Sequence, residues 1–361
     1  VHSVQYQNAN NSVRLSDQFM EAVEQNKEWE LTARTDGSVI SSQPAQKLFR
    51  QIAEAAWECA DPGIQFSSTI NRWHTAPNTG PINASNPCSE YLHLDNSACN
   101  LASLNLLQFL DAENEDQFDL EGFSHAVRIV FTAQDILVGN ADYPTEPIAQ
   151  TSRDFRQLGL GYTNLGAMLM ALGLPYDSEQ ARAWTGAVTA LMSGHAYATS
   201  VDLAQRVGAF AGYTSNSEAM QQVLGLHRDA LKSVSESAPR DVMTAAEKSW
   251  DDAVKGCQQH GIRNSQATVI APTGTISFMM DCDTTGIEPD LGLIKYKKLV
   301  GGGDLTIVNN TVGRALHKLG YEVEQIADIE KHLLDGGGSS NAPHLRESDL
   351  TVFACSMGDN V

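Results

Sequence analysis

The chain has 361 residues, 42% of them hydrophobic, which is enough for a large core in about two domains or one large α/β domain. Its formal charge of −20, from 44 acidic and 24 basic residues without a run of like charge, argues against a nucleic-acid-binding surface. Net charge describes surfaces rather than pockets, so a small anion held by backbone N–H groups remains possible.

The six cysteines, Cys59, Cys88, Cys99, Cys257, Cys282 and Cys355, show no C-x-x-C pair, no zinc-ribbon spacing and none of the density of a secreted disulfide scaffold. A reducing cytoplasm is the compartment expected. The first residues lack the basic and apolar regions of a signal peptide, and the most apolar stretch, Leu158 to Leu174, is short and broken by glycines, so no membrane partner is expected. The chain starts without methionine and stops just after the strand-like run before "FACSMGDNV", so both ends read as cuts.

Ser16 and Asp17 can cap a short amphipathic helix over "QFMEAVEQ", after an asparagine-rich loop. Ser42 and Pro44 open a second helix, "AQKLFRQIAEAAWECA". There Leu48, Phe49, Ile52, Ala55 and Cys59 share one face, which places Cys59 in the core. "DPGIQFSSTINRW" reads as turn and strand, and "NTGPINASNPC" as a turn-rich approach that leaves Cys88 on a loop. "NLASLNLLQFL" reads as buried. Helical periodicity marks "DLEGFSHAVRIVFTAQDILVGN" and "SEQARAWTGAVTALMSGHAYATSVDLAQRVG", with the apolar "LGLGYTNLGAMLMALG" between them. "IRNSQATVIAPTGTISFMM" reads as strand, tight turn and helix start, and "GIEPDLGLIKYKKLV" as extended. Glycine triplets at 301–303 and 336–338 mark loops, and "NTVGRALHKLG" and "EVEQIADIEKHLLDG" are small helices ending at glycine. The alternation of helix and strand argues for an α/β fold with parallel pairing; there is no internal repeat.

Chemistry concentrates in two places. In an extended loop, Asn86, Cys88 and Glu90 would project to one side, bringing an amide, a thiol and a carboxylate together. Such a trio can hold sugar hydroxyls, with the carboxylate accepting a bond or a proton; the alternative is a proline turn with a buried cysteine and two solvated polar residues. Cys99, on or beside a returning strand, is either a core cysteine or a redox partner. In "APTGTISF", Val269 and Ile270 lead into Pro272, Thr273, Gly274, Thr275 and Ile276 at a helix start, where backbone N–H groups can approach an anion, or simply cap the helix. The lysine and spacing of a Walker loop are missing, and "GLGYTNLG" lacks the last glycine of a dinucleotide fingerprint, so Gly159, Gly161 and Gly166 read as close packing. "DCD" at 281–283 alternates faces with no histidine near, the ten histidines are scattered and read as structural or surface groups, and no metal site is expected.

Taken in order, "NPCSE", "SACNLASLNL", "SRDFRQLGLGYTNLGA", "RNSQATVIAPTGTIS" and "TTGIEPDLGLIKYKKL" resemble the catalytic subunit of ribonucleotide reductases. Pro87 and "KYKKLVGGGDL" resemble the adenosylcobalamin-dependent class more than the metal-dependent class I enzymes, which are the alternative. The resemblance runs from "YQNANNSVRLSDQFMEAV" to "NAPHLRESDLTVFACS", nearly the whole chain. It implies a ten-stranded α/β barrel, here an incomplete portion: residues 1–85 end the first half and approach the finger loop, and residues 86–361 hold the loop and most of the second half-barrel. It implies reduction of ribonucleoside di- or triphosphates to deoxyribonucleotides through a thiyl radical at Cys88, with Glu90 taking the 3′ hydroxyl proton and Asn86 hydrogen-bonding the sugar. It also implies that Cys99 is one of two redox cysteines, that Pro272 to Ile276 hold the substrate phosphates, and that a dithiol such as thioredoxin is the reductant.

No residue matches the second redox cysteine or the family's C-terminal cysteine tail. The specificity region for dNTP and ATP effectors, the first half-barrel and the last strand are expected outside the chain, with the remaining reductase segments or a homodimer as partners. An inactive remnant that only binds nucleotide or a partner subunit is the other reading, and exposed apolar surface is expected of an isolated half-barrel.

Overall fold

The computed structural model describes residues 9–111, 117–298 and 304–357. In chain order it contains β1 (Ser12–Leu15), α1 (Asp17–Glu24), β2 (Glu28–Thr32), β3 (Val39–Pro44), α2 (Ala45–Cys59), β4 (Gly63–Phe66), α3 (Ser67–Arg72) and β5 (Leu101–Asn105). Then come α4 (Leu120–Asn140), α5 (Glu146–Phe155), β6 (Gly159–Thr163), α6 (Leu165–Ala171), α7 (Glu179–Val207), α8 (Tyr213–Ala230) and α9 (Arg240–His260). The last are α10 (Gly274–Met279), β7 (Ile294–Lys298), β8 (Asp304–Val308), α11 (Thr311–Lys318) and α12 (Val323–Leu334). The glycine triplet at 301–303 lies outside the described residues.

Local chemistry explains the helix starts. Ser16 accepts the Phe19 N–H to open α1, Pro44 precedes α2, and Ser178 accepts the Ala181 N–H to open α7. α2 ends at Ala60 in the left-handed region, φ 63°. Its core face is shorter than the periodicity suggests: Ala45 and Ile52 are buried, whereas Cys59 is exposed. The last turn of α2 runs past the small cluster of Leu15, Phe19, Ala22, Ala45 and Ile52 that it packs on, and the Cys59 thiol donates to Ala55 O at 3.2 Å. Two strand expectations also change. Only Gly63–Phe66 of "DPGIQFSSTINRW" is extended before α3, and "DLTVF" near the C-terminal end lies in a 3-10 helix, Glu347–Phe353.

Parallel pairing organises the centre. β5 pairs with β6 from Leu101↔Gly159 to Asn105↔Thr163, and all five β6 residues are buried. On the other edge of β6, Leu160 bridges Thr268 in parallel, and Leu160 N donates to Ala267 O at 2.9 Å. The expected strand in "IRNSQATVIAP" is thus a short paired run rather than a full element. Parallel neighbours need crossovers, and these are helical: α4 and α5 lie between β5 and β6, and α6 to α9 between β6 and residue 268. β1 pairs with β4 in parallel, while β2–β3 and β7–β8 are antiparallel.

Glycine fixes how closely the layers approach. A Cβ at Gly159 would meet Leu101 Cδ2 at 2.5 Å, one at Gly161 would meet Val269 O at 2.5 Å, and one at Gly166 would meet Glu288 O at 2.7 Å, so the close-packing reading of all three holds. The main core joins Phe123, Val127 and Phe131 of α4 to Leu160 and Tyr162 of β6 and Trp250 of α9. Trp250 is fastened to α7 by Nε1 donating to Ala190 O at 2.9 Å. No helix among the described residues is long and apolar enough to cross a membrane.

Candidate active site

The Cys88 segment is a tight turn, closed by an antiparallel bridge between Ser85 and Leu92. Ser89 N–H donates to Asn86 O at 3.0 Å, and Ser89 takes φ 64°. Proline restricts the turn at position 87 and a left-handed residue reverses the chain, so the strand alternation expected of Asn86, Cys88 and Glu90 is broken. Instead Pro87 and Cys88 are exposed at the tip. Asn86 turns its Oδ1 back across the loop to accept the Tyr91 N–H at 2.9 Å. The Glu90 carboxylate lies at the base, with Oε2 buried and unpartnered.

Gln65 anchors this turn from β4. Its Nε2 donates to Ser85 Oγ at 2.7 Å and Ser89 Oγ at 2.9 Å, and its Oε1 accepts from Arg14 Nη1 at 2.7 Å. Gln65 is buried between an exposed Ile64 and an exposed Phe66, the reverse of what the hydropathy of "IQF" predicts, so the sequence carries no sign of its role. A cavity of about 450 Å³ beside the turn is lined by Arg14, Gln65, Asn83, Ser85, Asn86 and Pro87, among others.

Cys99 lies two residues before β5, exposed to solvent, and is neither a core cysteine nor within a strand. Partial burial, and then the Glu90 carboxylate, push its thiol up to about 11. The structure thus brings Glu90 and Cys99 close enough to interact. His93 completes the group: its Nε2 is 3.7 Å from Cys99 Sγ, and its ring lies 4.5 Å from that of Tyr91. Tyr91 is fully buried with an unpartnered hydroxyl, and it packs on Val269 and Ala271, which ties the cysteine turn to the run leading into Pro272.

That run ends at Thr273, φ 49°, whose Oγ1 shares a hydrogen bond with Ser103 Oγ of β5 at 2.8 Å, while its carbonyl accepts from Ser277 Oγ. Pro272, Gly274, Thr275 and Ile276 are exposed, and nothing lies within 4 Å of where a Cβ on Gly274 would stand. The start of α10 thus faces solvent.

Behind the turn, Asn164, buried at φ 68°, donates to Asn105 Oδ1 at 3.0 Å and accepts from Thr284 N–H at 3.0 Å. Thr163 Oγ1 accepts from Gly286 N–H at 2.8 Å and meets Ser277 Oγ at 2.7 Å. These polar groups between β6 and the 277–286 segment carry no periodic signal, which is why sequence patterning passes over them. Asp283 of "DCD" is engaged at the start of α11, where Oδ2 accepts from Thr311 Oγ1 at 2.7 Å and Oδ1 from Asn310 N–H at 3.0 Å.

Parallel strands crossed by helices, with an exposed thiol on a turn docked against them, define a portion of an α/β barrel domain. The chain belongs to the ribonucleotide reductase family: the family described as "Ribonucleotide reductase, barrel domain" matches residues 2–359. Among similar proteins, a vitamin B12-dependent ribonucleotide reductase of Streptomyces clavuligerus is 52% identical over 99% of this chain and 38% of its own length. One of Rhodopirellula baltica is 51% identical over 98% of the chain and 34% of its own length. A vitamin B12-dependent ribonucleoside-diphosphate reductase of Mycobacterium tuberculosis is 32% identical over 95% of the chain and 43% of its own length. The chain therefore spans less than half the length of each of these relatives.

Proposed function

We propose that the chain carries the radical cysteine and part of the substrate site of a cobalamin-dependent ribonucleotide reductase. The observation that carries this is the Cys88 turn, where an exposed thiol stands two residues from a carboxylate whose Oε2 is buried without a partner. An unpaired buried acceptor costs stability, and a substrate hydroxyl donating to it would remove that cost.

In this reading Cys88 takes a hydrogen atom from the substrate 3′ carbon and Glu90 accepts the 3′ hydroxyl proton. Asn86, with Oδ1 committed to Tyr91, presents its amide nitrogen to the sugar. Cys99 supplies one of the two thiols oxidised as the 2′ hydroxyl leaves as water. Residues Pro272 to Ile276 offer backbone N–H groups to the phosphates. The second redox cysteine, the specificity region for dNTP or ATP effectors and the rest of the barrel belong to other segments or a second copy, and a dithiol such as thioredoxin returns the pair to its reduced form.

The names of the relatives favour cobalamin over the metal-dependent alternative. When bound, adenosylcobalamin supplies an organic radical able to remove a thiol hydrogen atom. The exposure of Cys88 fits a radical source approaching from outside this chain, and no residue here is assigned to hold the corrin.

The test is anaerobic deoxynucleotide formation from ribonucleoside di- and triphosphates with adenosylcobalamin and a dithiol, using the chain alone and mixed with the segments its relatives carry in addition. Product that appears in the mixture, needs adenosylcobalamin and vanishes in Cys88→Ser while nucleotide still binds supports the reading. Binding without product in every combination favours an inactive remnant.

A further inference from the structure

We infer that His93 is the proton acceptor and donor for Cys99, so that the two form a thiol–imidazole pair for disulfide exchange. The inference rests on the reading of Cys99 as a redox cysteine and assigns a catalytic role to a residue outside the five motifs' named site groups.

The hydrogen bonds fix the tautomer. Ser97 Oγ lies 2.5 Å from Leu94 O, an oxygen–oxygen approach that requires the single Ser97 proton between them. Ser97 Oγ also lies 2.5 Å from His93 Nδ1, so it must accept there, and Nδ1 carries the proton. Nε2 is then left with its lone pair, and it is Nε2 that stands 3.7 Å from Cys99 Sγ. Thiol donates to imidazole, imidazole to hydroxyl, and hydroxyl to carbonyl. The base is oriented by a third group, as nucleophile–base pairs require.

The surroundings make a base useful. Glu90, Tyr91 and Asp95 are the ionisable groups around the pair, and partial burial with the Glu90 carboxylate keeps the Cys99 thiol protonated. A thiol held in that form is a poor nucleophile unless its proton has somewhere to go. In the exchange, the Cys99 proton passes to His93 Nε2 as the sulfur attacks one sulfur of a disulfide. The old S–S bond breaks, a new one joins Cys99 to the attacked sulfur, and the departing thiolate takes the proton from His93. Cys99 is oxidised to a mixed disulfide and the other half of the reagent is reduced to a thiol. In the reverse direction an external dithiol opens a Cys99 disulfide: its attacking thiol gives its proton to His93 Nε2, which passes that proton to the leaving Cys99 thiolate.

The test uses the whole chain and 4,4′-dithiodipyridine, a neutral disulfide, at pH 7.5, with peptide mass mapping to follow Cys99 separately from Cys59, Cys88 and Cys282. His93→Ala slows Cys99 by about tenfold or more while Cys59 keeps its rate, and added imidazole restores part of the loss. Ser97→Ala, which frees the tautomer without removing the ring, gives a smaller loss in the same direction. Unchanged or faster exchange at Cys99 in His93→Ala overturns the inference, as does a loss that imidazole leaves untouched. The assay contains no nucleotide, so its failure leaves the reductase reading standing. Nucleotide reduction that survives Cys99→Ser would remove that reading and leave the exchange rates as measured.

Discussion

Asp135 on α4 and Arg156 at the end of α5 form a buried ion pair, with Arg156 Nε donating to Asp135 Oδ1 at 2.6 Å. The same carboxylate oxygen accepts from Asn264 Nδ2 at 2.8 Å, and Asn264 is in turn held by Ser200 of α7, whose Oγ donates to Asn264 Oδ1 at 2.7 Å. Two of the motifs, "SRDFRQ" and "RNSQ", are therefore parts of one polar knot that sets the entries to β6 and to the run paired beside it.

Removing Asp135 strands the Arg156 charge, because Arg156 is itself 7% exposed. Asp135→Ala should cost about 3–5 kcal/mol of stability, the usual penalty for breaking one side of a buried pair. Asp135→Asn, which keeps an acceptor for the guanidinium, should cost less. Urea unfolding of the three proteins measures both, and an Asp135→Ala protein as stable as its parent would show that the knot is not structural.

Glycine positions separate packing from propensity. A Cβ on Gly161 would press on the Val269 backbone carbonyl at 2.5 Å, and neither β6 nor the run beside it can yield without breaking the pairing between them. Gly161→Ala should destabilise by about 1–3 kcal/mol. Gly225, inside α8 with nothing within 4 Å of its would-be Cβ, is the opposite case, and Gly225→Ala should stabilise by about 0.5–1 kcal/mol. Thermal unfolding of the two variants decides this by sign alone.

The same contrast explains what was legible in the sequence. Helices α1, α4 and α7 fall where periodicity puts them; the Ser16 cap of α1 was readable as well, while the Asp119 and Ser178 caps of α4 and α7 come from the structure. The end of α2 does not follow its period, because period alone cannot say where the partner surface stops, and Cys59 sits beyond it. No expectation covers α8 and α9, although α9 buries Val242, Ala246, Trp250, Ala253 and Cys257. Their helical spacing is a clear amphipathic signal, so α9 was open to the same periodicity argument that marks α4. At the candidate site, Asn86, Cys88 and Glu90 were recognisable as residues, but their arrangement depends on a left-handed Ser89 and on Gln65 reaching across from β4, neither of which has a local signature. His93 and Tyr91 were passed over for the same reason: each gains its meaning from what the fold sets beside it.

Glu90 acts on Cys99 through space, second to burial, and both hold the thiol protonated. Glu90→Gln removes the negative charge, so the thiolate becomes easier to form and the Cys99 pKa falls from about 11 while staying above the ordinary thiol value. Alkylation of Cys99 by iodoacetamide at pH 8 should accelerate in Glu90→Gln, with Cys59 as the internal reference. A slower or unchanged rate would place Glu90 out of electrostatic reach of the thiol.

His227 on α8 is stacked on Trp250, with ring centres 5.3 Å apart and planes at 21°, and it also packs against Trp73 at 4.9 Å. Burial among these rings lowers its pKa from 6.5 to about 4. Between those values the unfolded chain holds the proton more than the native one does, so stability rises with pH across the window. The contribution is fully present above about pH 6.5 and is lost as the pH falls through 4, on the order of 2 kcal/mol for this partly exposed ring. His74, His93 and His195 are lowered in the same direction, burial being the first cause in each, so the parent protein alone cannot assign the effect. His227→Phe keeps an aromatic ring against Trp250 and removes only the titration. Urea unfolding at pH 4.5, 5.5 and 7 should show a shallower loss of stability on acidification in the variant than in the parent, and parallel curves would mean that His227 is charged in the folded protein at pH 5.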